Sequence, residues 1–243
     1  MAETFTALLT AHLVGDFVFQ SDRMVRTKAR PGVLLLHATI VTFLSWFLLG
    51  FPCWPILLAV FLTHAGIDGI KTRATSDTLR VFLLDQAAHL AVLVILAYGF
   101  PEGATRGWWV KDLPSHLTPW YFAGLSLISG MVLTVNVGGV VIGKATRGFV
   151  REIWSDQIHG LTDGGKTIGY LERSLVLLLE LTNQAAGIGF LIAAKSILRF
   201  GEITGAKERK FAEYVIIGTF MSFGWALLVS ALVREAVGHW LNW

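Results

Sequence analysis

The chain is expected to be all-α, a polytopic transmembrane helical bundle. Three observations carry that reading. Hydrophobic residues fill 54% of its 243 positions and charged residues only 15%, against about 25% charged in an ordinary soluble domain. The mean hydropathy is +0.61. Apolar stretches recur from residue 3 to residue 233 with no long polar linker between them. The simplest organisation is one membrane domain over 1–243, with a four-helix bundle in 1–100 and further helices in 101–243.

Spans are expected near 3–20, 33–50, 55–70, 82–99, 120–143 and 211–233, each close to the roughly 20 apolar residues that cross a bilayer as a helix. The stretch 168–199 is apolar but broken by Glu180, Asn183, Gln184, Gly187 and Gly189. It reads as two short spans or half-spans in a hairpin, so the total is about six to eight segments. The first stretch lacks a basic leader and a small-residue cleavage site, and is expected to stay in the membrane. The single cysteine, Cys53, excludes an internal disulfide and a CxxC metal knuckle.

Basic residues set the orientation, because loops rich in Lys and Arg stay cytoplasmic. Arg23, Arg26, Lys28 and Arg30 follow the first span, and Lys71, Arg73 and Arg80 follow the third. Lys144, Arg147, Arg151 and Lys166 lie in an expected loop 144–167, and Lys207, Arg209 and Lys210 precede the last span. All fall on one side if the N-terminus is outside. The opposite loops hold Trp54, Trp108, Trp109 and Trp120, which suit an outer interfacial belt. These cations also explain the net charge of +3 and pI near 9.1 without a nucleic-acid partner.

The first four spans carry what a span should not. His12 and Asp16 lie in the first, His37 in the second, His64 and Asp68 in the third, Asp85 and His89 in the fourth. Each ionisable group at mid-bilayer costs about 2.5 kcal/mol or more, which makes it a functional-site hypothesis by default. The offset of four in three pairs puts both side chains on one helix face. HxxxD followed by DxxxH is a mirror image, so antiparallel helices would bring His64 level with His89 and Asp68 level with Asp85. In the topology above, all seven converge on the cytoplasmic third of the membrane. HLVGD at 12–16 and HAGID at 64–68 also suggest a tandem repeat of a two-helix hairpin.

Imidazole with carboxylate is the ligand set of zinc, iron or manganese, and bundle cores hold metals between facing helices. His12, Asp16, His37, His64, Asp68 and His89 are the candidate ligands of a divalent metal such as zinc. Asp85 is a further ligand or the general base of a metal-dependent hydrolysis. Gln20 and Gln86 are placed to orient ligands. The substrate would be amphiphilic or lipid-like, reached at the cytoplasmic leaflet. Two other readings stay open, a proton- or ion-coupled transporter using the same side chains as a relay, and a non-catalytic module that recruits a partner.

The second half carries Glu172 and Arg173, then Lys195 and Arg199, at expected cytoplasmic ends. They read as snorkelling cations with an intramembrane ion pair, or as a site for an anionic head group. Asp156, His159 and Asp163 fall in the loop 144–167, and His116 and His239 on the outer side. GGKTIG at 164–169 lacks the spacing and the preceding strand of a phosphate loop. The oligomeric state is not legible.

The motifs HLVGDFVFQ (12–20), LLLH (34–37), HAGIDGIK (64–71, ending on Lys71) and DQAAH (85–89) resemble a bacterial integral-membrane family catalogued only as a domain of unknown function. GYLER (169–173), AAKSILRF (193–200) and EYVIIGTFMSF (213–223) resemble the C-terminal half of its longer members. The resemblance implies a multi-pass protein of the bacterial cytoplasmic membrane and no established activity.

Overall fold

The computed structural model describes residues 1–74, 77–153, 163–200 and 206–242. Within these, the side chains of 150–153, 198–200, 206–209 and 211 fall outside the description. In chain order the helices are α1 (Ala2–Phe17), α2 (Asp22–Thr27), α3 (Pro31–Leu49), α4 (Trp54–Lys71), α5 (Leu79–Gly99), α6 (Trp108–Lys111) and α7 (Thr118–Met131). A π-helical segment, Val132–Val137, leads into α8 (Gly138–Ile153), followed by α9 (Gly164–Leu181), α10 (Ala185–Phe200) and α11 (Ala206–Leu241). No strand occurs among the described residues.

Local sequence sets many of these boundaries. Pro31, Pro55 and Pro119 stand in the first turns of α3, α4 and α7, where the missing N–H had no helical partner to lose. Ser21 and Thr78 cap α2 and α5 by accepting from the amides of Met24 and Val81. Gly50 ends α3 at φ 65°, a conformation in which a Cβ would be strained.

Among the described residues, four helical stretches are long and apolar enough to cross a membrane: Pro31–Leu49, Leu79–Gly99, Ser115–Phe149 and Ala212–Leu241. Together they make this a polytopic helical membrane protein. Helices α1 and α4, the first and third expected spans, fall short of that measure. Their own His and Asp residues lower the hydropathy, and α1 has 16 residues, about 24 Å of helix.

One other expectation is revised, and the expected hairpin forms with an earlier start. The loop foreseen over 144–167 is helical as far as Ile153, because its cations alone do not stop a helix and it contains no proline. The stretch 168–199 is a helical hairpin. Helix α9 begins earlier than expected, at Gly164, and GGKTIG forms its first turns. Thr182–Gln184 makes the reversal into α10, with Asn183 in the left-handed region at φ 57°.

The chain divides into two compact units, Met1–Val132 with Ala236–Trp243, and Leu133–Glu235. In the first, α1 packs on α3, α3 on α4, α4 on α5 and α5 back on α1, closing a ring of four helices. Gly15 permits the α1–α3 crossing, since a Cβ there would come within 2.7 Å of Val41 Cγ2. Helix α7 joins along α1, where Thr10 Oγ1 lies 2.8 Å from Ser129 Oγ, and Trp240 Nε1 donates to Ser126 Oγ at 3.0 Å. Leu35, Leu36, Phe43, Leu58, Leu62, Leu84, Val94 and Ile95 turn outward. The ring is apolar outside and encloses an apolar core that includes Ala7, Leu8, Val41, Ile56, Val60 and Leu93, while its buried His and Asp side chains face inward.

In the second unit, Val176, Ile188, Phe223 and Ala226 form a core among α9, α10 and α11. Trp225 Nε1 donates to the carbonyl of Leu133 at 3.0 Å.

Candidate metal centre

Four helices deliver the site. HxxGD on α1 and HxxxD on α4 put His and Asp on one face near each C-terminal end. The α3 start supplies His37, and the α5 start supplies Asp85 and His89. Consecutive helices run in opposite directions, so these ends meet at one end of the ring. His37 is 0% exposed and Asp68 1%; His12, His64, Asp85 and His89 are also buried.

The tightest geometry involves four atoms. His37 Nε2 lies 3.0 Å from His64 Nε2. Asp16 Oδ1 lies 3.2 Å from the first and 3.3 Å from the second. Asp68 Oδ2 lies 3.6 Å and 3.4 Å from the same two nitrogens. Two triangles thus share the His37–His64 edge. A tetrahedral zinc with bonds of about 2.0–2.1 Å has ligand–ligand edges of about 3.3–3.4 Å. Spacing and donor set fit such an ion. Without one, two ring nitrogens and two carboxylate oxygens crowd together with few protons to share.

His12 and His89 flank this core. Their rings stack with centroids 4.9 Å apart, and His89 lies 4.5 Å from His64. Each is held by one nitrogen. The Asp85 backbone carbonyl accepts from His89 Nδ1 at 2.9 Å, and Gln86 Oε1 accepts from His12 Nε2 at 3.3 Å. An acceptor on one ring nitrogen leaves the other with its lone pair. Those others, His12 Nδ1 and His89 Nε2, are buried without a hydrogen-bond partner among the described residues. Among the described residues, three overlapping sets of side chains have the spacing to hold an ion: His12, Asp16 and His64; His37, His64 and Asp68; and Asp68, Asp85 and His89.

Two lysines close the site toward the helix ends. Lys28 Nζ lies 2.5 Å from Asp68 Oδ2, and Lys71 Nζ donates to Asp85 Oδ2 at 2.6 Å. Gln86 Nε2 donates to the same Asp85 oxygen at 3.0 Å, which leaves Asp85 Oδ1 without a hydrogen bond. On the opposite side a cavity of about 10 Å³, room for one water, is lined by His12, His64, His89, Val41, Val60 and Leu93.

All seven acids and imidazoles singled out in the sequence come together, His64 beside His89 and Asp68 within ligand spacing of Asp85. Gln86 touches the cluster on both sides. Gln20 Nε2 is buried but bonds to none of these residues. Lys28 was legible only as one cation of a basic loop, since nothing in its spacing links it to Asp68, 40 positions away.

In the second unit the expected ion pair forms between Lys195 and Glu172, at 2.7 Å. Arg173 does not snorkel, being 4% exposed, and donates to Ser222 Oγ at 3.1 Å and the Val135 carbonyl at 3.0 Å. Neighbours in sequence on a helix point about 100° apart, so Glu172 and Arg173 reach different partners. The side chain of Arg199, with Asp156 and His159, lies outside the described residues; Asp163 is exposed just before α9.

Fold and site define a helical membrane protein with a buried histidine–aspartate centre. Residues 4–109, which contain the whole centre, match the model of a family described as a protein of unknown function (DUF3307). No curated protein and no solved structure matches the chain.

Proposed function

We propose that the first unit is a membrane-embedded metal-dependent hydrolase. Its centre would hold a divalent ion of the zinc class and act on an amphiphilic substrate at the cytoplasmic leaflet. The observation that carries this reading is the 3.0–3.6 Å spacing of His37 Nε2, His64 Nε2, Asp16 Oδ1 and Asp68 Oδ2. Those four residues would hold the ion, with His12 and His89 beside them. A divalent metal there supplies Lewis acidity and a water ionised near neutral pH.

Asp85 is the base in this reading. Lys71 and Gln86 hold its Oδ2, so Oδ1 takes a proton from water as the water oxygen attacks the electrophilic centre. The scissile bond breaks, and that proton passes to the leaving oxygen, which adds one water across the bond. The cavity behind the histidines has room for about one water, which favours substrate approach from the other side. Approach is then from the Lys71 end, where that side chain is 31% exposed. The basic loops make that end cytoplasmic in a bacterial inner membrane with the N-terminus outside.

Elemental analysis of detergent-purified protein supplied with zinc tests the centre. We expect near-stoichiometric metal in the wild type and its loss in His64→Ala, the histidine shared by two of the three sets. A metal-free wild type would overturn the reading. The row of imidazoles at 4.5–5.7 Å would then favour a proton relay, read as pH-dependent flux in proteoliposomes. Asp85→Asn should lower hydrolysis of ester or phosphodiester amphiphiles by about 10²-fold or more, with metal retained.

A further inference from the structure

We infer that Lys28 and Lys71 form an anion-recognition site for a phosphoryl group beside the proposed metal, an inference that rests on the metal reading above. The positive-inside rule accounts for cations in solvated loops, and Arg23, Arg26, Arg30, Arg73 and Arg80 are exposed in keeping with it. It does not account for Lys28, which is 8% exposed and turned onto Asp68, nor for Lys71, turned onto Asp85. Both ammoniums point into the centre from its open end.

The charge of the site favours an anion once metal is bound. Asp16, Asp68 and Asp85 set three negative charges against the two ammoniums, and neutral imidazoles add nothing. The site alone therefore carries one negative charge, and a divalent ion turns this into one positive charge. That balance suits a monoanionic phosphodiester. Each ammonium has three N–H donors, and among the described residues each has one carboxylate partner. The spare donors match the several acceptor oxygens of a phosphoryl group better than the two of a carboxylate. Phosphate on a lipid head group and free phosphate share this chemistry.

The test uses full-length, zinc-supplied protein in detergent, with zinc content measured in every sample. Binding is titrated with inorganic phosphate, acetate, micelles doped with phosphatidylglycerol, and micelles doped with diacylglycerol. Wild type should bind phosphate or phosphatidylglycerol in preference to acetate and diacylglycerol. Lys28→Met and Lys71→Met should each weaken that binding about tenfold or more at unchanged zinc content, with Lys28→Arg weakened less. Binding of phosphatidylglycerol alone identifies a lipid source, and binding of inorganic phosphate alone a free one. Equal affinity in the lysine variants, or acetate binding as tightly as phosphate, overturns the inference. Should Lys28→Met fail to fold, Lys71→Met and Lys28→Arg decide the matter. A wild type without zinc sinks the metal centre and this inference with it, whereas a zinc-loaded wild type whose lysine variants bind phosphate unchanged sinks only this inference.

Discussion

His89 and His12 show how single imidazoles are held at this centre. Each imidazole spends one nitrogen on a protein acceptor, on the Asp85 carbonyl and on the Gln86 amide oxygen respectively. The remaining nitrogen is buried without a hydrogen-bond partner among the described residues. Such an atom forgoes a hydrogen bond worth roughly 1–3 kcal/mol, a cost that metal ligation would offset. In the proposed function Gln86 is a positioning residue, acting through His12 and Asp85. Gln86→Leu should weaken zinc affinity about 10- to 100-fold while leaving the thermal unfolding midpoint in detergent little changed. An unaltered zinc affinity would reduce Gln86 to packing alone.

At the scale of the helices, the centre depends on how closely α1 approaches α3. Gly15 sits between His12 and Asp16 on one side of that crossing, against Val41, one turn from His37. A larger side chain must push the helices apart, and overpacking of this kind costs about 1–3 kcal/mol. Gly15→Leu is expected to lower the unfolding midpoint and to release zinc, because it separates Asp16 from His37; Gly15→Ala should do the same more mildly. Normal zinc content in a destabilised Gly15→Leu protein would show that the crossing does not set the ligand spacing. The far ends of the same helices are tied differently. Trp109 Nε1 donates to the Phe47 carbonyl at 2.6 Å, and the Trp108 amide to the Gly50 carbonyl at 2.8 Å. Two closely packed ends leave the ring little freedom to open between them.

For the whole molecule, four helices long and apolar enough to cross a membrane and a belt of outward-facing Leu, Val, Ile and Phe make the bilayer its solvent. The orientation inferred from the basic loops is open to a direct check. In a Cys53→Ser background, cysteine at Arg73 should react with an impermeant thiol reagent only from the cytoplasmic side. Cysteine at Arg106 should react only from outside. The reverse pattern would place the centre at the outer leaflet and remove the cytoplasmic substrate pool from the proposed function.

Helical class, the apolar stretches and the seven acids and imidazoles were legible in the sequence alone. Composition and the period of the α-helix are local properties, and an ionisable residue in an apolar run stands out wherever it occurs. The pairing of HxxxD with DxxxH also foretold which residues would be level, since helix rise and a short connection determine register. What only the tertiary structure decided was which atoms meet. Lys28 on Asp68, Lys195 on Glu172 and Arg173 on Ser222 depend on the placement of distant segments. Long side chains choose partners by position in space, and charge in a sequence carries no record of that position.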